Sequence, residues 1–247
     1  MIKIERYEDK IQKELFAKDK SKITKYINLF VGKKGIFNLL KYEIILILFQ
    51  DMRGAAGIFF RNLFFPFLFK KVGRGVSFGR SLTIRHPGKI SIEDDVVIDD
   101  YCVLDAKGIN NKGIYISKHN FIGRSTILSC KNGDIILEKN VNIGFNSEIF
   151  SGSKVTIGEN TLIAAYVYII GGGHAYSSTD IPISEQEKPS HGIEIEKNCW
   201  LGAGAKVFDN VTIGNDTVIG AGAVVTRDIP AFSIAAGVPA RVAKSRK

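Results

Sequence analysis

The chain has 247 residues, 45% hydrophobic and 24% charged, with 25 Gly and 6 Pro. That length fits one large domain and excludes a multi-domain machine, and the composition excludes a disordered or collagen-like chain. The formal net charge is +9, yet its distribution does not point to a nucleic-acid binder.

Residues 1–75 carry 16 Lys and Arg against 7 Asp and Glu, whereas residues 76–247 carry 18 of each sign. Ten of the 16 Phe fall in the same first third. No reading motif is interleaved with these basic residues, so nucleic acid is not an expected partner. The charged start continues to Lys41 with no small-residue cleavage site behind an apolar run, so a secretory signal is not expected and the location reads as cytoplasmic. The apolar runs, residues 44–49, 54–60 and 63–69, are broken by Asp51, Arg53 and Arg61. Each is far shorter than the ~20 residues of a spanning helix. Helix is predicted to about Phe60, with Pro66 ending or kinking it. The segment has two uses in prospect. Its helices pack on the main domain or a sister subunit. Otherwise Phe59, Phe60, Phe64, Phe65, Phe67 and Phe69, flanked by Arg53, Arg61, Lys70 and Lys71, lie in the headgroups of an anionic membrane, peripheral at its inner face.

From residue 76 to 231 a six-residue repeat dominates. Aliphatics recur at Ile92, Ile98 and Leu104, at Ile116, Ile122 and Leu128, and at Leu137, Ile143 and Ile149. They continue at Ile157, Ile163 and Ile169, then unbroken at Ile195, Leu201, Val207, Ile213, Ile219 and Val225. Four positions after most of them stands a small or β-branched residue, such as Cys102, Thr126, Ser147, Thr161, Cys199 or Ala205. Such a unit describes one side of a triangular prism whose stacked turns bury aliphatic on aliphatic and pair parallel strands turn to turn. Gly123, Gly144, Gly158, Gly202, Gly214 and Gly220 are read as tight corners. Cys102, Cys130 and Cys199 form no C-x-x-C pair, which argues against disulfides or a zinc knuckle and fits a reducing compartment. They are expected as small core fillers.

Between Ile157 and Ile195 about 20 residues exceed one turn, so a loop at about 171–193 leaves the prism. It contains Gly171-Gly172-Gly173-His174-Ala175-Tyr176. Added chain on a rigid repeat is where function concentrates. Residues 232–247 read as a C-terminal tail.

With this loop, the stretch Asn198-Cys199-Trp200-Leu201-Gly202-Ala203-Gly204-Ala205 and the ending Ala236-Gly237-Val238-Pro239-Ala240-Arg241, residues 76–244 resemble the hexapeptide-repeat acyltransferases, sugar O-acetyltransferase branch. The resemblance implies an all-β, left-handed parallel β-helix, here behind a helical, Phe-rich N-terminal segment. It implies a homotrimer, acetyl-CoA as acyl donor in a groove between prisms, no required metal, and a saccharide hydroxyl as acceptor. His174 stands at the family's catalytic place. A sugar hydroxyl is a poor nucleophile near neutral pH, and an imidazole can take its proton as the thioester is attacked.

Such a base is normally oriented by a partner; Glu148 is favoured over Asn146 and Asp180, because Glu148 lies one turn beneath Tyr168. Asn146, Asp105 and Asp180 are candidate acceptor contacts, and His191 a weaker one. His86 and His119 read as turn residues. By the resemblance, the backbone of Ala203 and Ala221 meets pantetheine, Trp200 walls the groove, and Thr226, Arg227, Arg241 and Lys244 meet the nucleotide and its phosphates. Residues 1–75 lack the acceptor-binding piece of the small-sugar enzymes and resemble acyltransferases of surface-polysaccharide or lipopolysaccharide assembly. A lipid-linked or nucleotide-linked sugar is then the expected acceptor. An N-acetyltransferase of an aminosugar nucleotide and a non-enzymatic assembly scaffold are the alternatives. A zinc-dependent carbonic anhydrase is opposed by the histidine spacing.

Overall fold

The computed structural model describes residues 17–108 and 110–247. The first sixteen residues of the predicted helical segment lie outside that range. Ser21 caps helix α1 (Lys22–Tyr26) by accepting from the Thr24 amide, and a π-helical turn, Ile27–Val31, follows. Gly32 ends it at φ +73°, and a Cβ there would come within 2.7 Å of His86 Nδ1. Both demands are met only by glycine. Helices α2 (Ile36–Phe49) and α3 (Gly54–Phe64) come next, and Pro66 sits in the 3-10 turn Phe65–Phe67. The helix thus outruns the predicted Phe60 by one turn and stops where proline removes an amide donor.

This segment closes the bottom of the prism. Phe65 and Phe69 place their rings 5.6 and 5.5 Å from that of Phe78, and the buried Tyr42 hydroxyl donates to the Ile84 carbonyl at 2.6 Å. The buried aromatics differ from the membrane set predicted above. Phe65 and Phe69 are buried and Phe60 and Phe64 stack with Phe49, so only Phe59 and Phe67 of the six are exposed. Arg61 is also buried rather than flanking.

Three sheets form the walls. Face A runs from Lys71–Val72 to Val211–Ile213 in seven strands, and face C from Thr83–Arg85 to Val224–Val225 in seven. Face B runs from Ser77–Phe78 through nine, the last of which, Arg241–Ser245, turns back antiparallel. All other pairings are parallel, as expected of a β-helix. The aliphatics of the repeat stack inside, with Ile92, Ile98, Leu104, Ile143, Leu201 and Ile219 wholly buried.

The small residues of the repeat turn out to bridge coils as well as fill space. Thr126, Ser147 and Thr217 donate their hydroxyls to carbonyls of the next coil at 3.1 Å, and Cys102 and Cys199 point their thiols at Gly123 and Gly214 carbonyls in the same way. The corner glycines carry a different constraint from the one predicted. Left-handed backbone is supplied two residues further on, by Ser125, Asn146, Asn160 and Asp216, and by Gly204 and Gly222 after Gly202 and Gly220. After glycine, Asn and Asp tolerate that region best. The glycines are small because the next coil lies on them: a Cβ on Gly202 would stand 2.6 Å from the Ala221 nitrogen, and one on Gly214 2.4 Å from that of Ala231.

All three cysteines are free and buried, and burial pushes Cys102 and Cys130 up to about 12 and Cys199 up to about 11. A thiolate is the reactive species. An aromatic disulfide reagent at pH 8 is expected to find almost no thiol in the native protein and three per chain in guanidinium. Fast stoichiometric reaction of the native state would contradict this packing.

Candidate active site

The added chain collects on one edge of the prism, the corner from face C to face A. Its described residues are 86–89, 106–108, 110–113, 131–134, 152–154, 172–192 and 209–210. The longest piece begins after strand Tyr168–Gly171 and ends before strand Ile193–Ile195. Its two arms are tied by backbone bonds from Gly173 N to Pro189 O at 3.0 Å and from Ala175 N to Glu187 O at 2.7 Å. His174 is the residue between those two rungs, so its backbone is fixed while its exposed ring projects. Further out, the buried Gln186 side chain donates to the Ser178 and Ile181 carbonyls and accepts from the Ser178 amide, which closes the tip. At the root, Asp209 accepts from the His191 and Gly192 amides, each at 2.8 Å, and meets His191 Nδ1 at 3.1 Å.

Below His174 lies a cavity of about 180 Å³, walled by Lys131, Asn132, Phe150, Ile170 and Lys188. Three successive insertions on the edge build it. Sequence reading found the largest of them and missed Lys131, Asn132 and Lys188. For Lys131 and Asn132 the signal was the drift of the repeat: Ile116 pairs with Leu137, a step longer than the 18 residues from Ile195 to Ile213; Lys188 lies within the long loop itself.

The other candidates are distributed as follows. Glu148 pairs in register with Tyr168, as the repeat predicts, and together with burial it pushes the Tyr168 phenol up. It does not line the cavity, and among the described residues no hydrogen bond joins it to His174. Asn146 is exposed at a corner from face B to face C, in left-handed backbone. Asp180 is exposed near the loop tip, its amide donating to the Ser178 hydroxyl. Asp105 is 3% exposed and ion-paired with Arg85 and Lys107, two coils beneath Phe150 in the same column. Those partners, not an acceptor, occupy its carboxylate. His191 lines a separate polar groove with Lys154 and Thr212, and its ring is held by Asp209. His86 is half-buried beneath Gly32, with burial pushing its pKa down, and His119 occupies a left-handed corner.

The residues assigned to the coenzyme gather elsewhere. Trp200 is 53% exposed on face B, in the outward column that continues through Val218 and Ile234 to Lys244. Arg241 pairs with Ala236 in the same sheet. Ala203 and Ala221 are exposed at the corner from B to C, and among the described residues neither amide N–H is engaged. Thr226 and Arg227 instead follow the last face-C strand, on the edge of the His174 loop, two coils above it. One prism therefore keeps His174 apart from Trp200 and Ala203. Among the described residues no group of His, Cys, Asp and Glu is arranged to hold a metal ion. No described helix is long and apolar enough to cross a membrane.

Comparison with known proteins agrees with this architecture. The family described as bacterial transferase hexapeptide (six repeats) matches residues 192–227, and the hexapeptide repeat of succinyl-transferase matches residues 134–170. Galactoside O-acetyltransferase of Escherichia coli is 40% identical over 114 residues, 44% of this chain and 53% of its own length. The putative lipopolysaccharide biosynthesis O-acetyl transferase WbbJ of E. coli is 36% identical over 119 residues, 45% and 61%. The chain thus spans between half and two thirds of these relatives. A putative acetyltransferase of Saccharomyces cerevisiae, YJL218W, is 33% identical over 166 residues, 62% of this chain and 81% of that protein. Among solved structures, the D94N mutant of AntD, an N-acyltransferase from Bacillus cereus in complex with dTDP and coenzyme A, superposes with a TM-score of 0.52 at 25% identity, covering 72% and 85%. The repeat, the loop on its edge and these likenesses together make the chain a member of the hexapeptide-repeat acetyltransferase family.

Proposed function

We propose that this protein is an O-acetyltransferase that moves an acetyl group from acetyl-CoA to a saccharide hydroxyl, in surface polysaccharide or lipopolysaccharide synthesis. The observation that carries the reading is His174, pinned between two backbone rungs above a cavity on the loop edge. The acceptor oxygen attacks the thioester carbonyl as its proton passes to the imidazole. The tetrahedral intermediate then expels the CoA thiolate, which recovers that proton, leaving the acetyl ester and free CoA. Fixing acceptor and thioester together supplies a further large share of the rate. Glu148, Asn146 and Asp180 remain the groups proposed to orient the base or the acceptor.

The separation of His174 from Trp200, Ala203 and Ala221 on one prism supports a trimer in which the loop of one protomer faces the coenzyme strip of the next. There Trp200 walls the groove and Arg241, Lys244, Thr226 and Arg227 meet the nucleotide phosphates. The AntD likeness favours a second reading, N-acylation of an aminosugar nucleotide. The test is acetyl transfer to a panel of hydroxyl and amino sugars by the wild type and a His174→Ala variant. Transfer by neither would overturn the assignment, and equal transfer by both would remove His174 as the base.

The N-terminal helices are proposed to rest on an anionic membrane. One face of α2 is packed through Tyr42 and Ile45, while Ile36, Phe37, Leu40, Ile44, Ile47 and Leu48 stand exposed, Phe37 at 84%. Ile58, Phe59, Leu63 and Phe67 extend this apolar surface, and Lys33, Lys34, Lys41 and Arg53 are exposed cations of the same segment. Apolar side chains with basic neighbours suit an anionic interface. The full chain is expected to pellet with phosphatidylglycerol vesicles and not with phosphatidylcholine alone, and Phe37→Glu with Ile47→Glu to reduce pelleting at least about tenfold. Absence of pelleting, or a double variant that changes only the oligomeric state, would contradict this placement and indicate that a second copy covers the face.

A further inference from the structure

We infer that the pocket beside His174 is completed across the subunit boundary by Phe145 and Tyr166, on which the ring of a pyranose acceptor stacks. The inference deepens the acetyltransfer reading, and it rests on that reading and on the ring of protomers proposed with it. Both aromatics occupy the corner from face B to face C. Their rings meet edge to face at 5.6 Å, and the Arg124 guanidinium covers Phe145 at 5.2 Å. Tyr166 is nevertheless 60% exposed. It also holds left-handed backbone at φ +60°, a conformation that is costly for a bulky side chain and is retained chiefly where function uses it. Ser81, Ser125, Asn146, Gly204 and Gly222 hold the same corner position on other coils. Tyr101 does too, but its ring lies under the Arg80 guanidinium at 5.3 Å. Tyr166 has no such cover: apart from the edge contact with Phe145, no hydrogen bond among the described residues holds its phenol.

Position decides what this ring meets. Phe145 and Tyr166 precede strands Glu148–Ser151 and Tyr168–Gly171, and the far ends of those strands supply Phe150 and Ile170 to the cavity. The aromatics and the cavity thus stand at the same height on the prism, at opposite ends of face C. Tyr166 and Ile170 are separated by four steps of extended chain, roughly 13 Å, so one protomer does not close its own cavity with Tyr166. Rotation about an axis along the prism preserves height and brings the corner of one copy to the loop edge of the next, a head-to-tail contact that closes as a ring. Above Tyr166 the corner carries Ala203-Gly204 and Ala221-Gly222, slim enough to admit a coenzyme arm, whereas the two coils level with the cavity carry the aromatic rings. The corner changes from small to aromatic where coenzyme gives way to acceptor. An aromatic surface suits the C–H face of a pyranose, and a flexible polyol has no fixed face to offer. Asn146, already proposed as an acceptor contact, stands beside Phe145 on the same corner.

The experiment measures binding of, and transfer to, methyl hexopyranosides and the matching alditols by the wild type, Tyr166→Ala, Tyr166→Phe and Tyr101→Ala. Pyranosides are expected to be preferred, Tyr166→Ala to raise their Kd and KM about tenfold with a smaller effect on kcat, and Tyr166→Phe to restore most of the affinity. Tyr101→Ala, at the same corner position three coils lower, should change neither constant. Trimers assembled from His174→Ala and Tyr166→Ala chains test the boundary. His174 of one chain and Tyr166 of the next rebuild one intact site per ring, so about one third of wild-type activity should return at acceptor concentrations below KM. A pocket contained within one chain would rebuild none. Cross-linking a Tyr166→Cys, Lys188→Cys double variant with a short bismaleimide gives a readout free of activity: linked trimers are expected on denaturing gels, the native thiols being buried. Links confined to single chains, mixed trimers no better than Tyr166→Ala alone, or equal use of pyranosides and alditols would overturn the inference, while transfer itself would leave the acetyltransfer reading standing. Linked trimers with Tyr166-dependent pyranoside binding but no transfer to any acceptor would instead sustain the shared pocket and sink the acetyltransfer reading.

Discussion

Replacing His174 by alanine is expected to lower kcat by about 10²–10⁴-fold, the usual contribution of a positioned general base, while the affinity for CoA stays within about twofold. The separation follows from geometry. The His174 ring projects from an arm whose backbone is fixed on both sides, by Gly173 to Pro189 and by Ala175 to Glu187. Removal of the ring leaves both rungs, the Gln186 clasp and the Asp209 anchor in place. Trp200, Ala203 and Lys244 lie on face B and its corner, off the loop, and should hold coenzyme as before. Steady-state kinetics together with calorimetric titration of CoA separates the two effects. A variant with full kcat would remove the imidazole from the proton transfer. One that loses CoA affinity in step with kcat would show the loop to be a coenzyme element.

Much of this arrangement is legible in the residues, because the core imposes its period on the chain. Wherever Ile or Leu returns every six positions, the inward column is forced, and the alignment of Glu148 under Tyr168 follows from counting. The long insertion likewise announces itself as surplus chain. What the repeat hides are groups whose importance depends on neighbours with no side-chain signature. Lys131 and Asn132 occupy a short insertion that shifts the spacing by only a few residues, and they gain meaning when Lys188, more than fifty positions away, closes over the same cavity. In the N-terminal segment, hydrophobicity alone did not divide the aromatics. Phe65 and Phe69 meet Phe78 at the first coil, whereas Phe37, with the same chemistry, faces outward because Tyr42 and Ile45 already fill the inner side of α2. Asp105 looked available until Arg85 and Lys107 were brought onto it by the register of two neighbouring coils and a local turn.

Arg61→Leu is expected to loosen the N-terminal helices from the prism by about 3 kcal/mol, since each hydrogen bond to a charged group contributes about 1.5–3 kcal/mol and buried acceptors are left unpaired. In sequence Arg61 looks like one more basic residue between apolar runs. In the structure it is 2% exposed, and its guanidinium donates to three carbonyls: Phe78 at 2.9 Å, Met52 at 2.6 Å and Phe49 at 3.4 Å. These belong to the first strand of face B, the connection between the helices, and the end of α2. The neighbouring Asn62 side chain accepts from the Phe78 amide at 2.9 Å. Helix α3 thereby covers both polar backbone groups of Phe78 on a strand that has no sheet neighbour below it, the problem every terminal coil must solve. Leucine keeps the volume but leaves the carbonyls without donors. Lysine restores a charge but not the planar fork that spans three acceptors, so Arg61→Lys should recover only part of the loss. Hydrogen exchange provides the measurement: amides of α2 and α3 should exchange about 10²-fold faster in Arg61→Leu, with those of the prism core beyond Ile114 unchanged. Uniform acceleration across the chain would mean that helices and prism unfold as one unit, and no acceleration would mean that apolar packing around Phe65 and Phe78 alone secures the joint.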